Sequence, residues 1–211
     1  MIVEQYGVRY LRIQEKDLEL IRYWRNQPYI RSTMQFREYI TPEMQKNWFD
    51  RINNKYNYYF IIEHEGKQIG LINCKDTEPE TRIAEGGIFI WEQIYWGSPV
   101  PVFAALTMLE AVFEIFKSGD CSVATILKEN TRALNFNKIL GYEITGENEA
   151  GDCYKLTLTK EKYLSHLPKI KKAAAIFSKG QSEMKIFAEA GPLLADEINE
   201  FLVRGTRGEG K

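Results

Sequence analysis

Residues 85–117, EGGIFIWEQIYWGSPVPVFAALTMLEAVFEIFK, constrain the fold of this chain more than any other stretch. Positions 83–91 read as a β-strand, a turn is centred on Gly97, and positions 101–117 read as a helix. The helix rests on Val102, Leu106, Leu109, Val112, Phe113 and Phe116, which recur every three or four residues and form one apolar stripe. A strand that passes through a tight turn into a helix N-terminus is a ready anion site, because unpaired N–H groups and the helix dipole converge there.

The 211 residues provide for one sizeable core with an appendage, or for one large domain. Hydrophobic residues at 44% and charged residues at 27% describe a soluble globular protein. No apolar run approaches the roughly 20 residues of a membrane span. The first ten residues, MIVEQYGVRY, lack the basic and apolar regions of a secretory signal, so a cytoplasmic protein with no membrane partner is expected. A net charge of −1 gives no general attraction to nucleic acid. Cys74, Cys121 and Cys153 are widely spaced and read as reduced thiols, with no metal-binding spacing. His64 and His166, the only histidines, read as surface residues and leave little material for a histidine triad or metal site.

Taken in order, positions 7–13 alternate as a strand, and a helix over LELIRYWRN opens at Asp17 and stops near Pro28. Thr41-Pro42-Glu43 starts a second helix, which runs to about Arg51 and buries Met44, Trp48, Phe49 and Ile52. Positions 56–64 and 67–74 flank Glu65-Gly66 as a hairpin, and 77–81 form a loop. After the central helix come a strand at 122–127, a helix at 131–140 closed by Gly141, and two strands at 142–145 and 154–159. This order predicts an α/β fold: a mixed, mostly antiparallel sheet flanked by helices. Residues 1–160 form the domain and 161–211 a helical C-terminal extension with a disordered end. Its apolar stripes, Leu167, Ile170, Ala174 and Phe177, then Leu194, Ile198, Phe201 and Leu202, must bury against the domain or against a second copy in a homodimer. The KIKK run at 169–172 reads as a solvated face.

Three local patterns then meet in this order: LELIRYWRN, the strand-YWG-helix unit, and KENTRALNFNKILGY at 128–142. With them, positions 7–159 resemble the Gcn5-related N-acetyltransferase (GNAT) family, in the branch that acetylates ribosomal-protein N-termini or nucleotide-linked amino sugars. The resemblance implies acetyl-coenzyme A held in a cleft where two strands splay apart, and a small-molecule amine that attacks the thioester directly. Phe89, Ile90 and Trp91 would supply strand backbone to the pantetheine and polarise the thioester carbonyl. Trp96, Gly97, Ser98 and Val100 would cradle the pyrophosphate, and Asn130 would meet the pantetheine arm. Glu85 would be the general base, or else a strand-end carboxylate paired with Arg82. Trp24, Arg25, Asn26 and Arg31, with Arg22, would shape the acceptor pocket, where a diphosphate-linked sugar calls for arginines. Trp24, Trp48 and Trp91 also read as core residues. No metal is implied.

Two departures from the family pattern stand out. Its phosphate turn has small residues where this chain has Pro99 and Pro101. Proline has no N–H, and each lost charge-assisted bond costs roughly 1.5–3 kcal/mol. Asn137 stands where many relatives carry a tyrosine that protonates the leaving thiolate, although a thiol with a pKa of about 8.5 also leaves as the anion. The alternative implied by both changes is a repurposed, non-catalytic domain that binds another ligand or a protein partner.

Overall fold

The computed structural model describes residues 1–54, 56–75, 82–115 and 120–187. The expected loop at 77–81, the end of the central helix at 116–119, the second tail helix at 192–203 and the expected disordered end lie outside the described residues. The elements are β1 (Ile2–Gln5), β2 (Val8–Arg12), α1 (Leu18–Arg25), α2 (Pro28–Arg31), α3 (Pro42–Ile52), β3 (Tyr58–His64), β4 (Lys67–Lys75) and β5 (Ile83–Ile90). They continue with α4 (Val100–Glu110), β6 (Cys121–Leu127), α5 (Thr131–Ile139), β7 (Glu143–Glu147), β8 (Cys153–Thr159), α6 (Lys160–Phe177) and β9 (Lys185–Phe187).

Several local rules act as expected. Thr41 caps α3 by accepting the Met44 N–H at 3.2 Å, ahead of Pro42 in the first turn. Gln27, forced out of helical geometry by Pro28, has a ψ of 133° and separates α1 from α2. Glu65 and Gly66 both adopt positive φ, the geometry that matches the twist of a two-residue hairpin. Gly141 closes α5 in the left-handed region.

Among the described residues the strands form one sheet in the order β7-β8-β6-β5-β4-β3-β2-β1-β9. Every neighbouring pair is antiparallel except β5 and β6, which run parallel. The sheet separates two apolar layers. Alternation along β3 sends Tyr58, Phe60 and Ile62 to the layer shared with α4 and α6, and Tyr59 and Ile61 to the layer under α1 to α3. No helix among the described residues is long and apolar enough to cross a membrane.

Four expectations change. β1 at the N-terminus and β9 at the end of the described chain add two strands that the sequence pattern does not announce, β9 as the sheet edge and β1 between it and β2, each being short and without long alternation. The central helix is not amphipathic: Val100 and every residue from Phe103 to Leu109 is buried, because the sheet covers one side and other chain the rest. It passes into a π-helical turn at Ala111–Ile115. In α3, Phe49 is buried but Met44 is exposed and Trp48 and Ile52 are only half-buried, while Gln45 takes an inward position. The first helix of the expected extension begins at Lys160 directly after β8, with Pro168 inside it, and is not a separate appendage. Its Tyr163, Leu167 and Ala174 sit in the main core of the same chain, whereas Phe177 is exposed.

Candidate active site

The parallel pairing of β5 with β6 covers only Ile83 to Glu85 against Cys121 to Val123. Beyond that point both strands continue, to Ile90 and Leu127, without pairing to each other, and a cavity of about 560 Å³ opens in the fork. β4 still pairs with β5 from Glu85 to Ile90, and the Trp91 N–H donates to Ile69 O at 2.9 Å. That bond sets the phase: backbone groups of Glu85, Gly87 and Phe89 face β4, and those of Gly86, Ile88 and Ile90 face the fork. Glycines at 86 and 87 keep the floor of the fork low. A Cβ at Gly87 would meet Asn73 Oδ1 at 2.7 Å.

Side chains alternate the other way. Glu85 and Phe89 share the sheet face of α1 and α3, and Arg25 lies over the Phe89 ring at 5.8 Å. Glu85 stands at the point of the fork and lines the cavity. Its Oε2 is 2.9 Å from Lys75 Nζ. The expected alternative partner, Arg82, is engaged instead by both carboxylate oxygens of Asp120 at 2.6 Å. Arg25 lines the cavity with its Nη1 buried and without a hydrogen-bond partner, and burial pushes its pKa down.

Phe89, Ile90, Trp96, Asn130 and Asn137 all line the fork, but the backbone of Phe89, expected to meet the pantetheine, is turned to β4. Their polar groups are already occupied in part. Asn130 Oδ1 caps α5 by accepting the Ala133 N–H at 3.1 Å. Asn137 Nδ2 donates to Ala133 O at 2.9 Å, one turn back on the same helix. Trp96 Nε1 donates to Ile90 O at 2.8 Å, which takes the carbonyl that Ile90 turns toward the fork. The guanidinium of Arg132 sits 4.0 Å over the Trp96 ring, and Tyr29 lies on Trp96 with ring centroids 6.0 Å apart.

Other expected site residues lie elsewhere. Trp91 is 2% exposed, its N–H bonded to Ile69 and its carbonyl to the Tyr29 hydroxyl, so it belongs to the core. Trp24 stacks on it, with centroids 5.8 Å apart and ring planes 3° from parallel, and lines neither cavity. Asn26 clamps Ile40, donating to its carbonyl at 2.9 Å and accepting its N–H at 2.8 Å. Arg22 is paired with Glu19, and Arg31 does not reach the cavity wall. In the turn, the Ser98 N–H donates to Tyr95 O at 3.1 Å and the Val100 N–H to Ser98 Oγ at 3.3 Å. With Pro99 and Pro101 lacking donors, Gly97 keeps a turn amide that no protein acceptor engages among the described residues.

Sequence reasoning passed over three groups that the fold brings to the fork. Ser122 and Tyr142 exchange a 2.7 Å hydrogen bond at its base, each close to the backbone of Gly86, and burial holds the Tyr142 hydroxyl well above the ordinary phenol range. Lys75 arrives from β4 through the pairing with Glu85. Arg132 is the third; its place two residues after the helix cap Asn130 was the available signal. Among the described residues no three His, Cys, Asp or Glu side chains converge on a metal site.

Comparison with known proteins agrees with this geometry. Residues 8–143 match the family model of the acetyltransferase (GNAT) domain. The spermidine N(1)-acetyltransferase of Escherichia coli (strain K12) is 23% identical over 145 residues, 69% of this chain and 72% of that protein. The structure of a spermidine N-acetyltransferase from Vibrio cholerae in complex with CoA and spermine superposes with a TM-score of 0.64 at 18% identity, over 75% of this chain and 99% of that one. An aminoglycoside acetyltransferase in complex with coenzyme A gives a TM-score of 0.63 at 15% identity, over 74% of this chain and 97% of that one. None of these three represents the branch that the local motifs resemble. The fork between parallel strands, the cap at Asn130 and the matched family model together make this chain an N-acyltransferase of the GNAT acetyltransferase family.

Proposed function

We propose that the chain transfers an acetyl group from acetyl-coenzyme A to a small amine that also carries an anionic group, with a nucleotide-linked amino sugar as the preferred acceptor. The observation that carries the acceptor class is the charge of the cavity wall. Its charged residues are Arg25, Lys75, Glu85 and Arg132, and Lys75 and Glu85 neutralise one another. Two cations remain: Arg132 over Trp96 at the coenzyme end, and Arg25 over Phe89 on the acceptor side, with a buried, unpartnered donor. Such a wall repels a polycation like the spermidine named for the relatives, and attracts phosphate.

The fork fits the acyl donor. Beyond the last paired residues, the cleft-facing N–H groups of Ile88 and Ile90 are placed to hold a pantetheine amide and to polarise a thioester carbonyl, as an added strand does at a sheet edge. Acetyl-coenzyme A supplies the activated acyl group when bound. On the opposite face Glu85 takes one proton from the ammonium of the acceptor, and Lys75 stabilises the carboxylate until then. Asn137 donates no proton, its amide being tied to Ala133, so the thiolate leaves as the anion, which its pKa of about 8.5 permits.

At the pyrophosphate end the two prolines and the two tied amides leave the turn poor in donors. Arg132, held flat on Trp96, stands in for them. Arg132→Ala is expected to raise the Kd for coenzyme A about tenfold or more, the weight of one charge-assisted contact, with no loss of thermal stability. Calorimetric titration of the two proteins checks this.

The acceptor assignment is tested by initial rates on spermidine and on a uridine-diphosphate-linked amino sugar at matched concentrations. The nucleotide-linked amine is expected to have the higher kcat/KM, and Arg25→Gln to raise its KM about tenfold. A higher kcat/KM for spermidine would overturn the assignment.

A further inference from the structure

A second cavity adjoins the fork. It is bounded by the end of α1, the chain through Phe36 and Ile40, and α3, and it shares Arg25, Phe36 and Trp48 with the first. Its volume of about 820 Å³ is that of a small-ligand site. The polar groups of its wall are unusual. Gln45 is 4% exposed, an inward-facing glutamine on a helix whose neighbours Met44 and Lys46 are exposed. Its Nε2 is buried with no hydrogen-bond partner. Arg25 Nη1 is buried and unpartnered in the same wall, and Arg51 lines it one turn and a half further along α3. Asp50, the single carboxylate of the lining, accepts from Lys46 Nζ at 2.8 Å.

Buried donors without acceptors are costly, and a helix position facing inward is filled more cheaply by an apolar side chain. Two such donors and a second guanidinium in one lining form a wall that offers hydrogen atoms and positive charge, its single carboxylate being engaged by Lys46. The complement of such a wall is a group with several anionic oxygens.

We infer that this cavity is a binding site for a diphosphate, in which Gln45 Nε2 and the guanidinium groups of Arg25 and Arg51 hold the phosphate oxygens. Building on the proposed acceptor class, the diphosphate is that of the acceptor, and its amino end reaches Glu85 across the shared wall of Arg25, Phe36 and Trp48. The site is distinct from the turn at Gly97, which lies on neither cavity wall. Gln45 and Arg51 then select the acceptor without touching the reacting atoms.

The test is a calorimetric titration with uridine diphosphate, run with and without saturating coenzyme A, on the full chain and on Gln45→Leu and Arg51→Ala. The wild type should bind one uridine diphosphate in both conditions, and each variant should weaken it roughly tenfold. Gln45→Leu removes an orphaned donor, so its melting temperature should stay the same or rise, which separates loss of a ligand contact from loss of the fold. Failure of the wild type to bind in saturating coenzyme A, or undiminished binding by both variants, would overturn the inference. The two levels are separable. If the wild type acetylates a nucleotide-linked amine and both variants keep its KM, the diphosphate site is wrong and the acceptor class stands. If spermidine is the better acceptor while uridine diphosphate still binds and is lost in Gln45→Leu, the acceptor class is wrong and the anion site stands.

Discussion

Glu85→Gln is expected to lower kcat by about 10²- to 10⁴-fold, the usual worth of a positioned general base, and to leave the affinity for acetyl-coenzyme A unchanged. The amide keeps the shape of the carboxylate at the point where β5 and β6 part, so the fork itself should not move. What it loses is the proposed acceptor of the ammonium proton. It also loses the ionic partner of Lys75, 2.9 Å away, but both groups are about one-third exposed and the pair contributes little to folding. Steady-state kinetics on the variant checks the split between kcat and KM. The residual rate should climb about tenfold per pH unit, because the amine must then arrive deprotonated. A variant with wild-type kcat would remove Glu85 from the chemistry.

The second large effect concerns the fold. Leu167→Ala should destabilise the chain by about 2–5 kcal/mol. Leu167 is fully buried, and it belongs to the same apolar cluster as Leu106, Leu156 and Leu158. Against a typical total of roughly 5–15 kcal/mol, that is a large share, and urea unfolding followed by tryptophan fluorescence will show it as a lower midpoint at constant slope. A loss below about 1 kcal/mol would mean that α6 is docked on the domain without being part of its core. Because α4 touches α6 on one side and β4 and β5 on the other, the same variant should also weaken coenzyme A binding before it unfolds.

The sheet and the helices behind the fork were legible because their signals are local. Proline at the start of α3, the hairpin at Glu65-Gly66 and the closing Gly141 each dictate a backbone conformation by themselves. Alternation and three-four spacing then fill in the elements between them. The strands β1 and β9 were not legible, since three or four residues carry too little pattern and their pairing is fixed by partners distant in sequence. The amphipathic reading of α4 failed for a related reason. Its second side is covered by chain that lies some 50 residues later, and a period cannot report that.

The site divides along the same line. The cap at Asn130 follows from helix-start chemistry and lines the fork, whereas of the three backbone positions expected on β5 only Ile90 faces it, Phe89 and Trp91 being turned to β4. Side-chain roles depended on tertiary neighbours. Trp24 and Trp91 stack on each other within the core, and Asn26 spends both ends of its amide on Ile40. Ser98 and Val100 have their N–H groups drawn into the turn itself. Conversely, nothing in the local sequence marks Gln45 as an inward-facing donor; helical spacing places it beside Phe49, and only the fold shows that it has no partner.

The proposed activity requires the fork between β5 and β6 to bind acetyl-coenzyme A in spite of its altered turn. Isothermal titration of the chain with acetyl-coenzyme A up to millimolar concentration tests that most directly. The expected result is a saturable isotherm with one molecule bound per chain, weakened in Arg132→Ala. No binding heat at millimolar acetyl-coenzyme A, over a range of temperatures, would contradict it and would leave the two prolines as marks of a fold put to another use.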